Sequence, residues 1–189
     1  MGKRTAPRII SGKLKGIRLK SPAGTITRPI TDRVKENLFN IIGFEIVESR
    51  FLDLFAGTGS VGIEAYSRGA SFVHFIEKNQ LPYSILKQNI SLIKDEKAYA
   101  VSKQDAFAFV SQYRGDAFNY VFIAPPQYKG MWIEGLRNID SYPNLLDQNG
   151  MAIVQIDPVE YEEVRFEKIE IVDRRQYGST LLLFYEFRS

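Results

Sequence analysis

The chain has 189 residues, a hydrophobic fraction of 44% and a formal net charge of +3. This length can bury one sizeable core, so we expect a single domain over residues 1–189, with residues 1–27 as a basic N-terminal arm. The sequence contains no cysteine, and its one histidine, His74, lies in an apolar segment. These features exclude disulfides and a thiolate nucleophile, and they argue against a metal centre or a histidine base.

No apolar run approaches the ~20 residues that a helix needs to cross a bilayer. The first residues also lack the apolar core of a signal peptide. We therefore expect a cytoplasmic protein with no membrane partner. No sequence feature gives a reason to expect more than a monomer.

The N-terminal arm is strongly basic. Eight lysines and arginines and no acidic residue precede Asp32, so the rest of the chain is net negative. Apolar and basic residues alternate around Gly12 and Gly16, which predicts a β-hairpin with one cationic face. Taken alone, the charge also fits a solvated tail, but the alternation favours a nucleic-acid partner. The residues expected to contact nucleic acid are Arg8, Lys13, Lys15, Arg18, Lys20, Arg28 and Arg33.

After the arm, helices and strands alternate. Thr31 or Asp32 is expected to cap a helix whose apolar stripe is Val34, Leu38, Phe39, Ile41 and Ile42. The pattern then predicts strands over 51–56, 72–76, 99–103, 120–123 and 150–155, separated by helices over 81–93, 107–113 and 131–146. Two further strands, 167–173 and 179–187, close the chain. This order predicts an α/β protein with a mostly parallel, doubly wound sheet and an antiparallel edge.

The first predicted strand ends in a glycine-rich turn, Asp53-Leu54-Phe55-Ala56-Gly57-Thr58-Gly59. Glycines allow unusual backbone angles and close approach to a ligand, and amides at the following helix start can hold polar groups. Glu77 ends the second strand at the same edge of the sheet, where a carboxylate can accept both ribose hydroxyls. The pattern therefore predicts a nucleoside cofactor.

Asp53 distinguishes between two such cofactors. The spacing Gly57-x-Gly59-x-x-Gly62 fits a dinucleotide fingerprint, but a carboxylate beside an anionic pyrophosphate is unfavourable. S-adenosylmethionine carries an ammonium and a sulfonium and has no phosphate, so we favour it over NAD, and over a turn that binds nothing. The expected cofactor-binding residues are Asp53, Phe55, Ala56, Gly57, Thr58, Gly59, Glu77, Lys78, Asp105 and Ala106. For Asp105, capping of the next helix explains the residue equally well.

The expected catalytic segment follows the fourth strand and reads Ala124-Pro125-Pro126-Gln127-Tyr128. Two prolines stiffen the backbone and fix its carbonyl directions, which suits an exocyclic amine that needs hydrogen-bond acceptors. An adjacent aromatic ring can stack on a base turned out of its helix. The alternative is a loop that only ends a strand. Without cysteine, methylation of a pyrimidine C5 is disfavoured, which leaves transfer to nitrogen or oxygen.

The chain resembles the RsmD-type 16S rRNA guanine-N2 methyltransferases over nearly its whole length. The segments that carry the resemblance are the arm with Arg8 and Gly12, residues 28–34, the glycine loop, residues 67–70, Glu77, the double proline, residues 177–180, and Tyr185 with Glu186. The glycine loop alone is shared by many methyltransferases, whereas its combination with the N-terminal segment is far more specific.

The resemblance implies a class I methyltransferase fold with a Rossmann-like seven-stranded sheet and S-adenosylmethionine as donor. It also implies a guanine N2 in 16S rRNA, within a small-subunit assembly intermediate, as acceptor. The chain departs from the family at the catalytic loop, where the family has Asp or Asn before the prolines and Tyr or Phe after them. Here Ala124 takes the first position and Gln127 precedes Tyr128, so the remaining acceptors are the backbone carbonyls of Ala124 and Pro125 or the side chain of Gln127.

Two alternatives stay open because of this departure. One is a protein that binds cofactor and RNA but has weakened or lost transfer activity. The other is a methyltransferase of the same build that acts on a DNA base or another RNA nucleotide.

Overall fold

The computed structural model describes residues 6–22, 30–127 and 129–188. Its α-helices are α1 (Asp32–Ile42), α2 (Ser60–Ser67), α3 (Gln80–Ile90), α4 (Ala106–Gln112) and α5 (Met131–Ser141). Its strands are β1 (Arg50–Asp53), β2 (Phe72–Ile76), β3 (Tyr99–Ser102), β4 (Phe118–Ile123), β5 (Leu146–Ile156), β6 (Ile169–Tyr177) and β7 (Thr180–Phe187).

The strands form one sheet in the order β3-β2-β1-β4-β5-β7-β6. β1 to β5 pair in parallel, whereas β7 runs antiparallel to both β5 and β6. The predicted fold class, a mostly parallel α/β sheet with an antiparallel edge, is thereby confirmed. From β1 the chain adds β2 and then β3 on one side of β1. It then crosses to the other side and adds β4 next to β1, so the strand order reverses at β1. In open parallel sheets, this reversal opens a ligand crevice beyond the carboxyl ends of the strands.

Both faces of the sheet are covered by helices. Alternate residues of β1 point to opposite faces, so Phe51 packs with α1, α2 and α3, whereas Leu52 packs with α4 and α5. The arm belongs to the first layer, because Ile9 and Leu19 are buried among its core residues. The apolar residues of the arm thus anchor it, which leaves its basic residues on the surface.

The arm doubles back on itself as the predicted β-hairpin does, but its two sides are not regular strands. Among the described residues of the arm, a single antiparallel bridge joins Arg8 and Arg18, with a 3₁₀ turn at Gly12–Leu14 between them. Backbone bonds run across the arm from the amides of Ile9, Gly16 and Leu19. The amides of Ile10 and Ser11 donate instead to Glu64 of the body. Because each amide has one hydrogen, these two amides make no bond across the arm.

Glu64 of α2 is the centre of a buried charged cluster that fastens the arm. Its side chain is 0% exposed, and its two oxygens accept hydrogen bonds from Ile10 N at 2.7 Å and Ser11 N at 3.0 Å. Arg68 Nε donates to it at 2.8 Å, and Lys35 Nζ lies 3.4 Å away. Burial lowers the pKa of Lys35, although the charge of Glu64 opposes that shift. Two cations and two backbone amides therefore offset the cost of burying this carboxylate.

Several predicted boundaries are corrected. The helix predicted over 131–146 ends at Ser141, because Tyr142 precedes Pro143 and such a residue disfavours helical angles. The following strand starts at Leu146 instead of residue 150. β6 continues to Tyr177 through residues predicted as a loop, and Arg174 and Arg175 are exposed on this edge strand. On α1, Ile41 is exposed and Lys35 is buried in the apolar stripe instead.

Gly12 is expected to be essential for seating the arm. Its φ is +78°, and a β-carbon added there would overlap the carbonyl oxygen of Ser67. Gly16 has a similar φ, +86°, but a β-carbon there meets nothing within 4 Å. We therefore expect Gly12→Ala to lower the free energy of unfolding by about 1–3 kcal/mol more than Gly16→Ala does, because only the former adds a steric clash. Urea denaturation of both variants measures this difference, and equal losses would contradict the contact.

Candidate cofactor and catalytic site

The carboxyl ends of four neighbouring strands bring the predicted site residues to one edge of the sheet. Asp53 ends β1, Glu77 follows β2, Asp105 follows β3, and Ala124 follows β4. Since β3, β2, β1 and β4 are adjacent and parallel, these residues line a continuous edge. Three carboxyl groups and a proline-rich loop therefore border the crevice where the strand order reverses.

Asp53 is almost fully buried, with 2% of its surface exposed. Its Oδ2 accepts a hydrogen bond of 3.0 Å from the backbone N–H of Gly62, in the first turn of α2. Burial raises its pKa to about 7; the Gly62 hydrogen bond opposes this shift, and the charge of Glu77 adds to it. Asp53 thus braces the helix after the glycine loop, and its own charge state is poised near neutral pH.

Glu77 holds the glycine loop from the neighbouring strand. One carboxylate oxygen accepts a 3.0 Å hydrogen bond from Gly57 N, and the other accepts a 2.6 Å bond from Asn79 N. A carboxylate offers about four acceptor positions, so two backbone bonds leave capacity for a ligand hydroxyl. Gly57 has a φ of +55°, and a β-carbon there would meet nothing within 4 Å. The loop surface at this point is therefore open.

Asp105 caps α4, as the alternative reading of this residue predicted. Its Oδ1 accepts from Phe107 N and Ala108 N, and its Oδ2 lies 3.1 Å from Lys78 Nζ. Burial pushes its pKa up, but the backbone bonds and Lys78 outweigh burial and lower the pKa overall. Two predicted cofactor residues, Lys78 and Asp105, therefore pair with each other. Ala106 is buried at the start of α4.

Two phenylalanines form an apolar wall beside these groups. The ring of Phe55 meets that of Phe107 edge to face, with centroids 5.9 Å apart. Both side chains are only partly buried. Phe55 belongs to the predicted set, whereas Phe107 does not; its position two residues after Asp105 was the available signal.

The loop after β4 is described up to Gln127. Ala124 and Pro125 are partly buried, and Pro126 is exposed. Tyr128, the predicted stacking residue, lies outside the described residues. The register of β4 and β5 pairs Ile123 with Val154, the residues that precede Ala124 and Gln155. Gln155 Oε1 is buried and has no hydrogen-bond partner among the described residues, so the strand next to β4 carries an unused acceptor.

The predicted nucleic-acid contacts share one feature, exposure. Arg8, Lys13, Lys15, Arg18, Lys20 and Arg33 are all exposed, and Arg28 lies outside the described residues. Some also have partners: Arg8 pairs with Asp32 at 2.6 Å while 60% of its side chain stays exposed. Lys13 Nζ lies 3.4 Å from the centroid of the Tyr66 ring.

Three polar residues near the site were missed: Lys35, Glu64 and Asn89. Each is buried and lies on a helix that packs under the arm. Asn89 Nδ2 donates to Lys20 O and to Thr58 O, so it contacts both the arm and the glycine loop. The position of Lys35 inside the apolar stripe of α1 was the one sequence feature that indicated its burial. No neighbouring residue indicated the burial of Glu64 or Asn89.

His74 lies in β2, in the segment predicted as a strand, and has a structural role. Its Nε2 lies 2.9 Å from Ser102 Oγ, and its ring packs edge to face on Phe109 at 4.7 Å. Burial, with a contribution from Arg50, lowers its pKa to about 4, so the imidazole is neutral at pH 7. It packs within an aromatic cluster formed with α4.

In the part of the chain that the structure describes, no helix has the length and apolar character needed to cross a membrane. The same residues contain no group of three or more His, Cys, Asp or Glu placed to hold a metal ion.

Comparison with known proteins gives consistent matches. The family model described as Conserved hypothetical protein 95 matches residues 7–186. The chain is 35% identical over 184 residues to "Putative rRNA methyltransferase YlbH" of Bacillus subtilis (strain 168), which covers 96% of this chain and 99% of that protein. It is 38% identical over 143 residues to "Ribosomal RNA small subunit methyltransferase D" of Escherichia coli (strain K12), covering 76% and 68% of the two chains.

The architecture also matches a solved structure. "Putative methyltransferase yhhF from Escherichia coli" has a TM-score of 0.83 and 29% sequence identity to this chain. The match covers 95% of this chain and 97% of that one.

Affinity for the predicted cofactor is expected to depend on pH through Asp53. An ammonium group binds the ionised carboxylate, and the pKa of Asp53 is about 7 in the free protein. Binding should therefore release a proton, and affinity should rise by up to about tenfold per pH unit between pH 5.5 and 7. Calorimetry with S-adenosylhomocysteine, in buffers of different ionisation enthalpy, measures both quantities.

The control for this prediction is Asp53→Asn, which keeps an acceptor for Gly62 N but cannot ionise. Its affinity should be low and flat with pH. A flat profile in the unmodified protein would contradict the role of Asp53. Stability should change in the opposite direction, because a raised carboxyl pKa stabilises the fold most at low pH and that contribution is lost as pH rises through about 7.

Proposed function

This chain belongs to the Conserved hypothetical protein 95 family of RsmD-type methyltransferases, and from that membership we propose that it methylates the exocyclic N2 of a guanine in 16S rRNA. The methyl donor is S-adenosylmethionine. In this proposal the acceptor is 16S rRNA within a small-subunit assembly intermediate, and the enzyme acts as a monomer. The observation that carries the proposal is the edge where Asp53, Glu77 and the double proline meet.

The donor set at that edge fits S-adenosylmethionine. The buried Asp53 carboxylate suits the ammonium group, and Glu77 has acceptor capacity left for ribose hydroxyls. Asp105, with Ala106 and Phe55, would border the adenine. Two carboxylates close together would repel a pyrophosphate, which disfavours NAD. When bound, the cofactor supplies an electrophilic methyl group on a sulfonium.

The residues of the catalytic loop would prepare the amine. An exocyclic amine is a weak nucleophile because its lone pair is delocalised into the base. Acceptors for its N–H groups favour a more pyramidal nitrogen and hold it in line with the methyl group, and alignment supplies most of the remaining acceleration. Pro125 and Pro126 fix the backbone, so the carbonyl oxygens of Ala124 and Pro125 are held as acceptors. Tyr128 would stack on the base.

The arm would bind the RNA backbone. Its apolar residues, Ile9 and Leu19, are buried, whereas its basic residues face solvent. Arg8, Lys13, Lys15, Arg18 and Lys20 would contact phosphates, together with Arg33 of α1 and with Arg28. Such contacts give affinity and register, while the base in the crevice gives specificity.

Ala124 raises the question of which group replaces the side-chain acceptor of the family pattern. Gln127 is one replacement, because it directly follows the prolines. Gln155 is the better placed one, since it lies on the strand next to β4, directly after the partner of Ile123, and its Oε1 lacks a partner among the described residues. An unpaired buried acceptor costs roughly 1–3 kcal/mol, a cost that a bound amine would remove. We assign the missing acceptor to Gln155.

Methyl transfer tests the proposed function directly. The protein is incubated with S-adenosylmethionine labelled in its methyl group and with naked 16S rRNA, small ribosomal subunits or DNA. We expect label in the RNA of the small subunit, and N2-methylguanosine after nuclease digestion and chromatography. Label in DNA or in another nucleotide would favour the different-target alternative. Tight cofactor and RNA binding without any transfer would favour the binding-protein alternative.

Substitution of the proposed acceptors tests the catalytic loop. Gln155→Leu should lower kcat by about 10²-fold, because one polar contact to the reacting group is lost, while the cofactor Kd stays unchanged. Ala124→Asp in the same background should recover most of that loss by supplying the acceptor from the neighbouring strand. Gln127→Leu tests the other candidate acceptor, and a larger loss of kcat there than in Gln155→Leu would move the assignment to Gln127. An unchanged kcat in Gln155→Leu would remove Gln155 from the mechanism.

A further inference from the structure

Asn89 joins the arm to the glycine loop. It lies in the last turn of α3 and is only 3% exposed. Its Nδ2 donates to Lys20 O at 3.0 Å and to Thr58 O at 2.9 Å, and its Oδ1 accepts from Lys20 N at 2.8 Å. The amide group has two hydrogens, so it can give one to the arm and one to the loop.

Lys35 makes a second connection of the same kind. Its Nζ donates to Arg8 O at 2.7 Å and to Ser60 Oγ at 3.0 Å. Arg8 and Lys20 lie at the two ends of the folded arm, and Thr58 and Ser60 lie on either side of Gly59. Two buried side chains therefore tie both ends of the arm to both sides of one glycine in the loop.

The loop has little freedom to move independently of these connections. A β-carbon on Gly59 would lie 2.5 Å from Leu86 Cδ1, so the loop packs closely against α3, the helix that carries Asn89. On its other side, Gly57 is fixed by Glu77. A ligand that restrains the arm therefore also restrains, through these hydrogen bonds, the segment expected to bind the cofactor.

We propose that Asn89 is a positioning residue that couples the two substrates, so that RNA bound to the arm raises the affinity of the glycine loop for the cofactor. The inference rests on the proposed function, because it takes the arm as the RNA site and the loop as the cofactor site. Linkage requires the effect to be reciprocal: bound cofactor raises RNA affinity by the same factor. The enzyme then favours the ternary complex over either binary complex.

The coupling is measured as a ratio of two dissociation constants. The Kd of S-adenosylhomocysteine is determined with and without a saturating, unmodified 16S rRNA transcript. We expect RNA to tighten binding by about fivefold or more in the unmodified protein, within the usual range of coupling between sites. In Asn89→Leu, which has a similar side-chain volume and no donors, the ratio should fall towards one.

Gln88→Leu is the matched control. Gln88 is the neighbouring residue on α3, and its Oε1 accepts from Lys20 Nζ at 2.9 Å on the surface. It contacts the arm through that side chain, so its loss should weaken RNA binding slightly and leave the coupling ratio unchanged. A purely structural role for Asn89 would weaken both ligands in Asn89→Leu and preserve the ratio, which would overturn the inference.

Hydrogen exchange on the unmodified protein gives a test that does not depend on any variant folding. RNA alone, without cofactor, should slow exchange of the backbone amides of residues 57–60. Unchanged exchange there, with RNA bound and methyl transfer intact, would overturn the coupling and leave the proposed function standing. Absence of both RNA binding and transfer would instead reject the proposed function, and the inference with it.

Discussion

The fully buried carboxylate of Glu64 is the interaction on which the placement of the arm depends. A lone charge in the interior is strongly unfavourable, so the site exists only because Lys35, Arg68 and two arm amides converge on it. Those partners come from α1, from the residue that follows α2, and from the arm, so they join three separate segments of the chain. Removing any one of them leaves the others with unsatisfied hydrogen-bonding groups. The arm is therefore held by polar groups at its tip and by Ile9 and Leu19 along its apolar side.

The sheet fixes the site in a different way. Parallel strands deliver their last residues to a common edge, so Asp53, Glu77 and Asp105 meet there although they are far apart in sequence. Each carboxylate also bonds backbone amides of the segment that follows a strand. The same three side chains thus shape the crevice and provide its acidic character. Preorganisation of this kind means that a ligand meets acceptors that are already in place.

Local patterns were sufficient to predict that Asp53, Glu77 and Asp105 lie at one edge of the sheet, because each follows a strand that its neighbouring residues already indicate. The fold class followed from the alternation of strand-like and helix-like hydrophobic patterns along the chain. Glu64 and Asn89 were not predictable in that way: their arm partners lie 54 and 69 residues away, and neither residue departs from what a helix surface allows. The predicted β-hairpin is irregular for the same reason, since the amides of Ile10 and Ser11 donate to Glu64 of a distant helix instead of across the arm. Pro143 was a local signal that the helix ends before it, and the prediction of a helix over 131–146 did not use that signal.

Gly12 packs against the body of the protein, while charged residues close to it in sequence are exposed. Its backbone lies directly against Ser67, which leaves no volume for any larger residue, whereas the charged positions on either side project into water. We therefore expect that Gly12 tolerates no larger residue, whereas substitution of the exposed charged residues of the arm costs little folding stability. Substitutions at positions 13, 15 and 18 would therefore change the charge of this surface while the contact between Gly12 and Ser67 stays intact.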